Sequence, residues 1–291
     1  MRLSAVRHAR ARHLIAGAAI VFAASSAVFA SGHGPVFGVT TPTLGKGGWQ
    51  FDQAYMVRST QETAEQTLRS MISFGVTPRV QLSASVPVPL VTGSQSPTGR
   101  MTATMSDAPN VEGTVAWRFH ARPVGHGARL ESTLYVGGAV PTTSRRGDIK
   151  SAPSVNVAGA TGYASRAHYL WAGGGYEKRA THFGDKWGDV GYYSFVYGYR
   201  PPPLQLDYPK PDLRFFVEAQ GEHNGRSKKL GVEDVNSGGR ILLAGPTTLL
   251  LYKQYGLEGG VLFPVYQRLN GNQKKEHFRA VVNFSYFFWL R

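Results

Sequence analysis

Between His277 and Trp289 the chain alternates. Phe278, Ala280, Val282, Phe284, Tyr286 and Phe288 form one set, and His277, Arg279, Val281, Asn283, Ser285 and Phe287 form the other. Successive side chains of a strand point to opposite faces, so this stretch predicts a strand with one greasy face and one mostly polar face. The cadence recurs along the chain. Trp49, Phe51, Tyr55 and Val57 stand against Gln50, Asp52 and Arg58, and Leu68, Ile72, Phe74 and Val76 against Arg69, Ser73 and Gly75. Val80, Leu82, Ala84 and Val86 stand against Gln81, Ser83 and Ser85, Val111, Val115, Trp117 and Phe119 against Glu112, Thr114 and Arg118, and Leu130, Leu134, Val136 and Val140 against Arg129, Glu131 and Thr133. Further strands are predicted over 155–164, 169–178, 189–200, 213–222, 238–253 and 257–266. In the fifth of these, Gly245-Pro246 marks a bulge or a break in pairing.

The reading is about twelve strands, many near ten residues, whereas strands of soluble proteins average about 5–6. Short and long connections tend to alternate: Thr77-Pro78 turns the chain tightly, and Thr92–Asn110 is a long polar loop. The fold class expected is all-β, an antiparallel transmembrane β-barrel with both ends on the periplasmic side, rather than a soluble sandwich. No later stretch is a hydrophobic helix long enough to span a bilayer.

Residues 1–30 read as a cleaved signal peptide: Arg2, Arg7, Arg10 and Arg12 precede an uncharged apolar run, Leu14–Phe29, with the cut placed after Ala30. Residues 31–47 are a Gly/Pro-rich segment without period, tucked into the barrel mouth, and 48–291 form the barrel. The chain has no cysteine, so an exported product must rely on closed hydrogen bonding or a sizeable core. Together these features place it in the bacterial outer membrane.

The formal charge is +14, and the chain stays strongly basic without the leader's arginines. Nucleic acid is excluded as a partner by the export signal and by the dispersion of the charge. Arg100, Arg145, Arg146, Lys150, Arg226, Lys228, Lys229, Lys274 and Lys275 fall in expected outer loops, where they would meet the phosphates of outer-membrane lipids and lipopolysaccharide.

Four stretches carry a family resemblance: Gly188–Pro201, Val217–Glu222, Glu258–Tyr266 and Phe278–Phe288. They are similar to segments of the outer-membrane transporter family of the meta-pathway of phenol degradation. The resemblance spans the mature chain and is strongest over its last hundred or so residues. It implies a twelve-stranded barrel that moves small molecules, aromatic or hydrophobic ones among them, and it transfers no ligand residue. Barrels of this kind often end on an aromatic that the barrel-assembly machinery reads. Here Phe288 and Trp289 are followed by Leu290 and Arg291.

With the apolar sets on lipid, the lumen receives Arg58, Arg69, Arg118, Arg129, Glu131, Arg214, Glu218, Glu222, Arg240, Glu258 and Arg279. On the lipid face at mid-bilayer each Arg would cost about 2–4 kcal/mol, but inside, water or an opposite charge reaches it. Such a lumen acts as a mixed-charge constriction for small-molecule solutes, with Glu218 and Glu222 expected at the constriction. The alternatives are a closed barrel with an adhesion or lipid-binding role, and an outer-membrane lipid hydrolase. A hydrolase would draw on His182, His223 and His277 with Ser227 or Ser237, but no Gly-x-Ser-x-Gly elbow or triad spacing supports one. No enzyme activity and no cofactor are expected. Cleavage after Ala30 would start the chain Ser31-Gly32-His33, whose amine, amides and His33 imidazole could form a square-planar Cu(II) or Ni(II) site.

Overall fold

A computed structural model describes residues 34–91, 100, 102, 110–146, 148–206 and 209–290. The expected signal peptide, its cleavage site and the Ser31-Gly32-His33 terminus lie outside the described residues. Twelve long strands form the wall. They are β1 (Gly48–Thr60), β2 (Ala64–Thr77), β3 (Val80–Val91), β4 (Asn110–Gly125), β5 (Ala128–Pro141), β6 (Ser154–Ala164), β7 (His168–Arg179), β8 (Val190–Tyr199), β9 (Asp212–Asn224), β10 (Gly239–Tyr252), β11 (Tyr255–Leu269) and β12 (Glu276–Trp289). Each pairs antiparallel with its neighbours in sequence, and β1 pairs with β12 from Gly48↔Trp289 to Thr60↔Glu276, closing the barrel. Closure leaves no edge strand, so the wall's own backbone groups are satisfied without water.

The connections at one end, at 78–79, 126–127, 165–167 and 253–254, are short, and those at 92–109, 142–153, 180–189 and 225–238 at the other are long. Three break the rule. Residues 61–63 and 270–275 make shorter connections at the loop end, and 200–211 make a longer connection at the turn end, with a 3-10 turn over Pro202–Leu204 after Pro201 stops β8.

The alternation sorts as a barrel requires. Phe51, Ile72, Leu82, Val115, Val136 and Phe284 are exposed on the outside, and an outer face of this composition is a lipid-facing one. Near the turn end, Trp49 stacks on Phe288 (6.2 Å between centroids), Phe288 on Tyr286 (5.5 Å), and Tyr255 lies beside Tyr286 (5.4 Å). This is an aromatic girdle of the kind that marks a membrane interface. Gly245 and Pro246 stay paired to β9 but drop out of the β10–β11 ladder, the break in pairing their sequence predicted, because proline has no N–H to donate.

Candidate solute path

The lumen is occupied by the chain's own N-terminal segment. Residues 34–47 enter at the turn end, where the Gly47 amide donates to the Gly75 carbonyl (2.7 Å) and Trp289 Nε1 to the Lys46 carbonyl (3.3 Å). The segment has no alternation and forms no strand, so its polar backbone groups need acceptors and donors once water is excluded. The wall supplies them with side chains. Leu44 N donates to Gln81 Oε1 (2.9 Å), Thr133 Oγ1 to the Thr41 carbonyl (2.5 Å), Tyr135 Oη to the Thr40 carbonyl (2.7 Å) and Val39 N to Ser194 Oγ (2.9 Å). Glu218, fully buried, takes three amides at once: Val36 N on Oε1 (2.7 Å), and Phe37 N and Gly38 N on Oε2 (2.8 Å each). Thr247 Oγ1 adds a fourth bond at 2.5 Å. Phe37, also fully buried, packs with Met56, Leu243, Leu262 and Val281 on the inner wall.

Toward the loop end lies a chain of buried charges. Arg58 on β1 approaches Glu276 (3.5 Å), Glu276 pairs with Arg279 (2.5 Å), and Arg279 pairs with Glu222. Arg100, in the β3–β4 connection and only 2 % exposed, continues the chain. Its amide donates to Glu222 (3.2 Å), its guanidinium pairs with Glu177 (2.6 Å) and lies 4.9 Å from the Tyr192 ring centroid, and its carbonyl accepts from Arg279. Arg179 holds the other oxygen of Glu177 at 3.0 Å. Close by, Arg69 faces Glu112 (3.5 Å) and donates to Ser85 (2.8 Å). A second group lies at the turn end: Glu131 with Arg118 (2.7 Å) and Arg129 (3.3 Å), and Asp212 with Arg214 (2.7 Å) and Arg200 (2.9 Å).

Between the two charged levels, beside the segment, a cavity of about 140 Å³ remains. Gln50, Asp52, Met71, Ser73, Tyr135, Asn156, Tyr192, Glu258 and Asn283 are among the residues lining it.

These positions rearrange the sequence-based expectations. Arg58, Arg69, Glu222 and Arg279 come together in the loop-end charges, Arg118, Arg129, Glu131 and Arg214 in the turn-end group, and Glu258 lines the cavity. Glu218 faces inward but is spent on the segment, not on an open constriction. Arg240 is a correction. Ile241 and Leu243 are the inward members of β10, so Arg240 faces outward, exposed, with Nε 3.3 Å from His223 Nδ1. It sits one residue inside the loop end of β10, at the polar edge of the wall, where an outward charge is tolerated. Arg100 is a second correction: an expected outer-loop charge, it is buried in the lumen. Asp52, Glu112, Glu177, Arg179 and Glu276 were missed. For Asp52 and Glu112 the signal was present, since both share the inward parity of Arg58 and Arg118.

The hydrolase candidates are tied to other partners, and Ser227 N donates to Ser237 Oγ (2.8 Å). His182 Nδ1 lies 3.1 Å from the Ser151 carbonyl, Ser227 Oγ accepts from Gly188 N (3.2 Å), and Ser237 Oγ donates to the Asp234 carbonyl (2.6 Å). His277 is exposed beside the bulge at Ser59/Thr60. Among the described residues there is no cluster of three or more His, Cys, Asp or Glu placed to hold a metal ion, and His33 lies outside them.

No family model matches the chain, and no curated protein matches it. Solved structures do. The chain is similar to the COG4313 outer membrane channel from Pseudomonas putida F1, with a TM-score of 0.60 and 11 % identity over 85 % of this chain and 98 % of that one. The fold is that of an outer-membrane β-barrel. Two more distant likenesses are to the NanC porin (TM-score 0.48, 9 % identity, 81 % and 98 % covered) and to Pseudomonas aeruginosa OpdK with vanillate (TM-score 0.39, 11 % identity, 83 % and 97 % covered).

Proposed function

We propose that the protein is an outer-membrane channel through which small solutes pass by diffusion, aromatic compounds among them, with residues 34–47 setting the bore. The observation that carries this reading is the way the lumen is filled. Here a polar cavity lies beside a segment whose backbone is held by replaceable side-chain hydrogen bonds, between two levels of paired charge. The lumen charges act on passing solutes as a filter of size and sign. Lipids and lipopolysaccharide surround the barrel, and the assembly machinery inserts it.

Liposome swelling with the purified mature protein tests the reading. Small neutral solutes are expected to enter, faster when residues 34–46 are deleted. Vesicles that stay sealed with both forms, the deleted barrel being folded, would refute a channel and leave the closed adhesion or lipid-binding barrel.

A further inference from the structure

The two carboxylates that line the lumen cavity already serve the wall. Asp52 on β1 accepts from Gln50 Nε2 (2.8 Å), Ser285 Oγ (2.5 Å) and Asn283 Nδ2 (3.4 Å), and Glu258 on β11 accepts from the same Asn283 amide group (3.4 Å). No Lys or Arg is among the described lining residues. The arginines of the lumen meet carboxylates in the charged levels on either side, as Arg69 does with Glu112 and Arg118 with Glu131. An anion in the cavity would meet two like charges, and a cation would have to compete with the wall's own donors for either carboxylate. Removing a charge from water without a partner of its own is costly.

What the cavity offers instead is neutral. Part of its polar lining is bonded internally: Ser73 and Ser83 share a hydrogen bond (2.8 Å), and Gln81 accepts from Leu44 N (2.9 Å) and donates to Ser83 Oγ (3.2 Å). Gln50 Oε1, Asn156 Nδ2 and the Thr114 hydroxyl are not so engaged. Each lines the cavity on a part-exposed side chain, and none has a hydrogen-bond partner among the described residues. They stand on β1, β6 and β4, with the inward parity of Asp52, Ser154 and Glu112. Together they make one acceptor, one donor and one group that can do either. The hydroxyls of Tyr135 and Tyr192 are tied to the Thr40 carbonyl and to Asn156 Oδ1, so these side chains present ring to the cavity.

We infer that this cavity is a binding site for a small uncharged polyol. A hydroxyl both donates and accepts, so hydroxyls on one short carbon chain can serve Gln50 Oε1, Asn156 Nδ2 and Thr114 together, while the chain's C–H groups lie against Tyr135 and Tyr192. A cavity of about 150 Å³ is known to admit one benzene ring, and this one has about 140 Å³, which suits a chain of about three or four carbons. The inference deepens the channel reading by naming its preferred solute, and it rests on that reading.

Saturation-transfer NMR titration of the detergent-solubilised mature protein with erythritol, butane-1,4-diol and erythronate keeps the carbon chain and varies its hydroxyls and charge. Erythritol is expected to bind at least about fivefold more tightly than butane-1,4-diol, which lacks two of its hydroxyls, with no binding of erythronate. Thr114→Val removes a hydroxyl that makes no bond within the described structure, so the barrel should fold as before while erythritol affinity falls roughly severalfold. Thr114→Ser, which keeps the hydroxyl, should retain the affinity. Gel mobility before and after heating verifies that each variant is a folded barrel, and the comparison of the three probes stands alone if Thr114→Val does not fold. Equal binding of erythritol and butane-1,4-diol, preference for erythronate, absence of erythritol binding, or full affinity in folded Thr114→Val would overturn the site. Swelling of liposomes by other uncharged solutes is scored separately, so a working channel without a polyol site is distinguished from a barrel that conducts nothing.

Discussion

The Glu218 carboxylate meets the Phe37 amide at 2.8 Å inside the barrel, and the same carboxylate takes the amides on either side. One wall residue thus holds a turn of the N-terminal segment by its backbone, independent of that segment's side chains. Glu218→Gln tests this, because it preserves size but replaces one acceptor oxygen with an NH2 group. With the NH2 at the Oε2 position it faces the Phe37 and Gly38 amides, and at the Oε1 position it faces the Val36 amide while the Thr247 hydroxyl can turn to accept. Hydrogen bonds to charged groups contribute about 1.5–3 kcal/mol each, so losing at least one amide bond together with the charge should loosen the segment. Single-channel conductance should rise, and trypsin should cut after Lys46 about tenfold faster or more. Unchanged conductance together with unchanged cleavage would mean that Glu218 does not hold the segment.

Gly75 controls the same segment from the other end. A Cβ there would lie 2.1 Å from the Gly45 carbonyl oxygen, a backbone atom that cannot swing aside. Gly75→Ala should therefore push the entering chain off the wall while sparing the barrel, whose ladder at β2 does not depend on that contact. The expected signature is the phenotype of Glu218→Gln with the heat-shifted gel band retained. An unchanged, wild-type conductance would show that Gly75 does not hold the entering segment in place.

Arg100 governs the sign of the loop-end lumen. Arg58, Arg100, Arg179 and Arg279 meet Glu177, Glu222 and Glu276 through the contacts described. Arg100→Ala removes one of the four positive charges and leaves Glu177 with Arg179 as its remaining described ion-pair partner. Reversal potentials across a salt gradient should move toward cation selectivity by roughly severalfold in permeability ratio at low salt. The shift should shrink near 1 M, where the screening length falls to about 3 Å. Selectivity that does not move would place the permeating path away from Arg100.

How much of this could be read from the chain follows from where periodicity exists. The wall could: period-two alternation separates Val57 from Arg58 and Phe278 from Arg279, and closing the sheet adds nothing that contradicts it. β6 and β7 resisted because Gly162, Gly173, Gly174 and Gly175 blur the facing. The structure gives the reason, for a Cβ on Gly162 would strike the Trp171 ring at 2.1 Å and one on Gly175 the Tyr192 hydroxyl at 2.5 Å. Those glycines make room for large inward side chains, so the residues that blur the pattern are the ones the lumen packing requires. Glu177 and Arg179 were hidden with them. The lumen segment and Arg100 lie in stretches without period, and their positions are set by partners more than a hundred residues away, such as Glu218 and Glu222. Nothing local marks a glutamate on a strand as an acceptor for a distant backbone. Arg240 was misplaced because Ile241-Leu242-Leu243 is apolar on both parities, which leaves its own facing undetermined.

Outside the membrane-spanning strands, Asp185 ties three loops together, and its protonation should loosen them. Its buried carboxylate accepts the Leu230 amide on Oδ1 (2.7 Å) and the Lys150 amide on Oδ2 (3.0 Å), joining the β7–β8, β9–β10 and β5–β6 connections. These backbone hydrogen bonds, Leu230 first and then Lys150, hold its pKa below the ordinary aspartate value of 3.8. Because the value is lower in the tied state than in the open one, the tie is fully in force above about pH 4, the unperturbed carboxylate range. It is lost as pH falls through the lowered value, and it is not weakened on the alkaline side of neutrality by this group. Hydrogen-exchange protection of the Leu230 and Lys150 amides, corrected for intrinsic rates, should be flat from pH 5 to pH 7 by this argument and fall on acidification below about pH 4. Asp185→Asn should reproduce the acid state at pH 7, since an amide NH2 then faces one of the two donors, and trypsin should gain access to Lys228 and Lys229. Protection that persists in acid and in Asp185→Asn alike would show that the loops are held by other contacts, such as the Lys229–Asp148 pair at 2.9 Å.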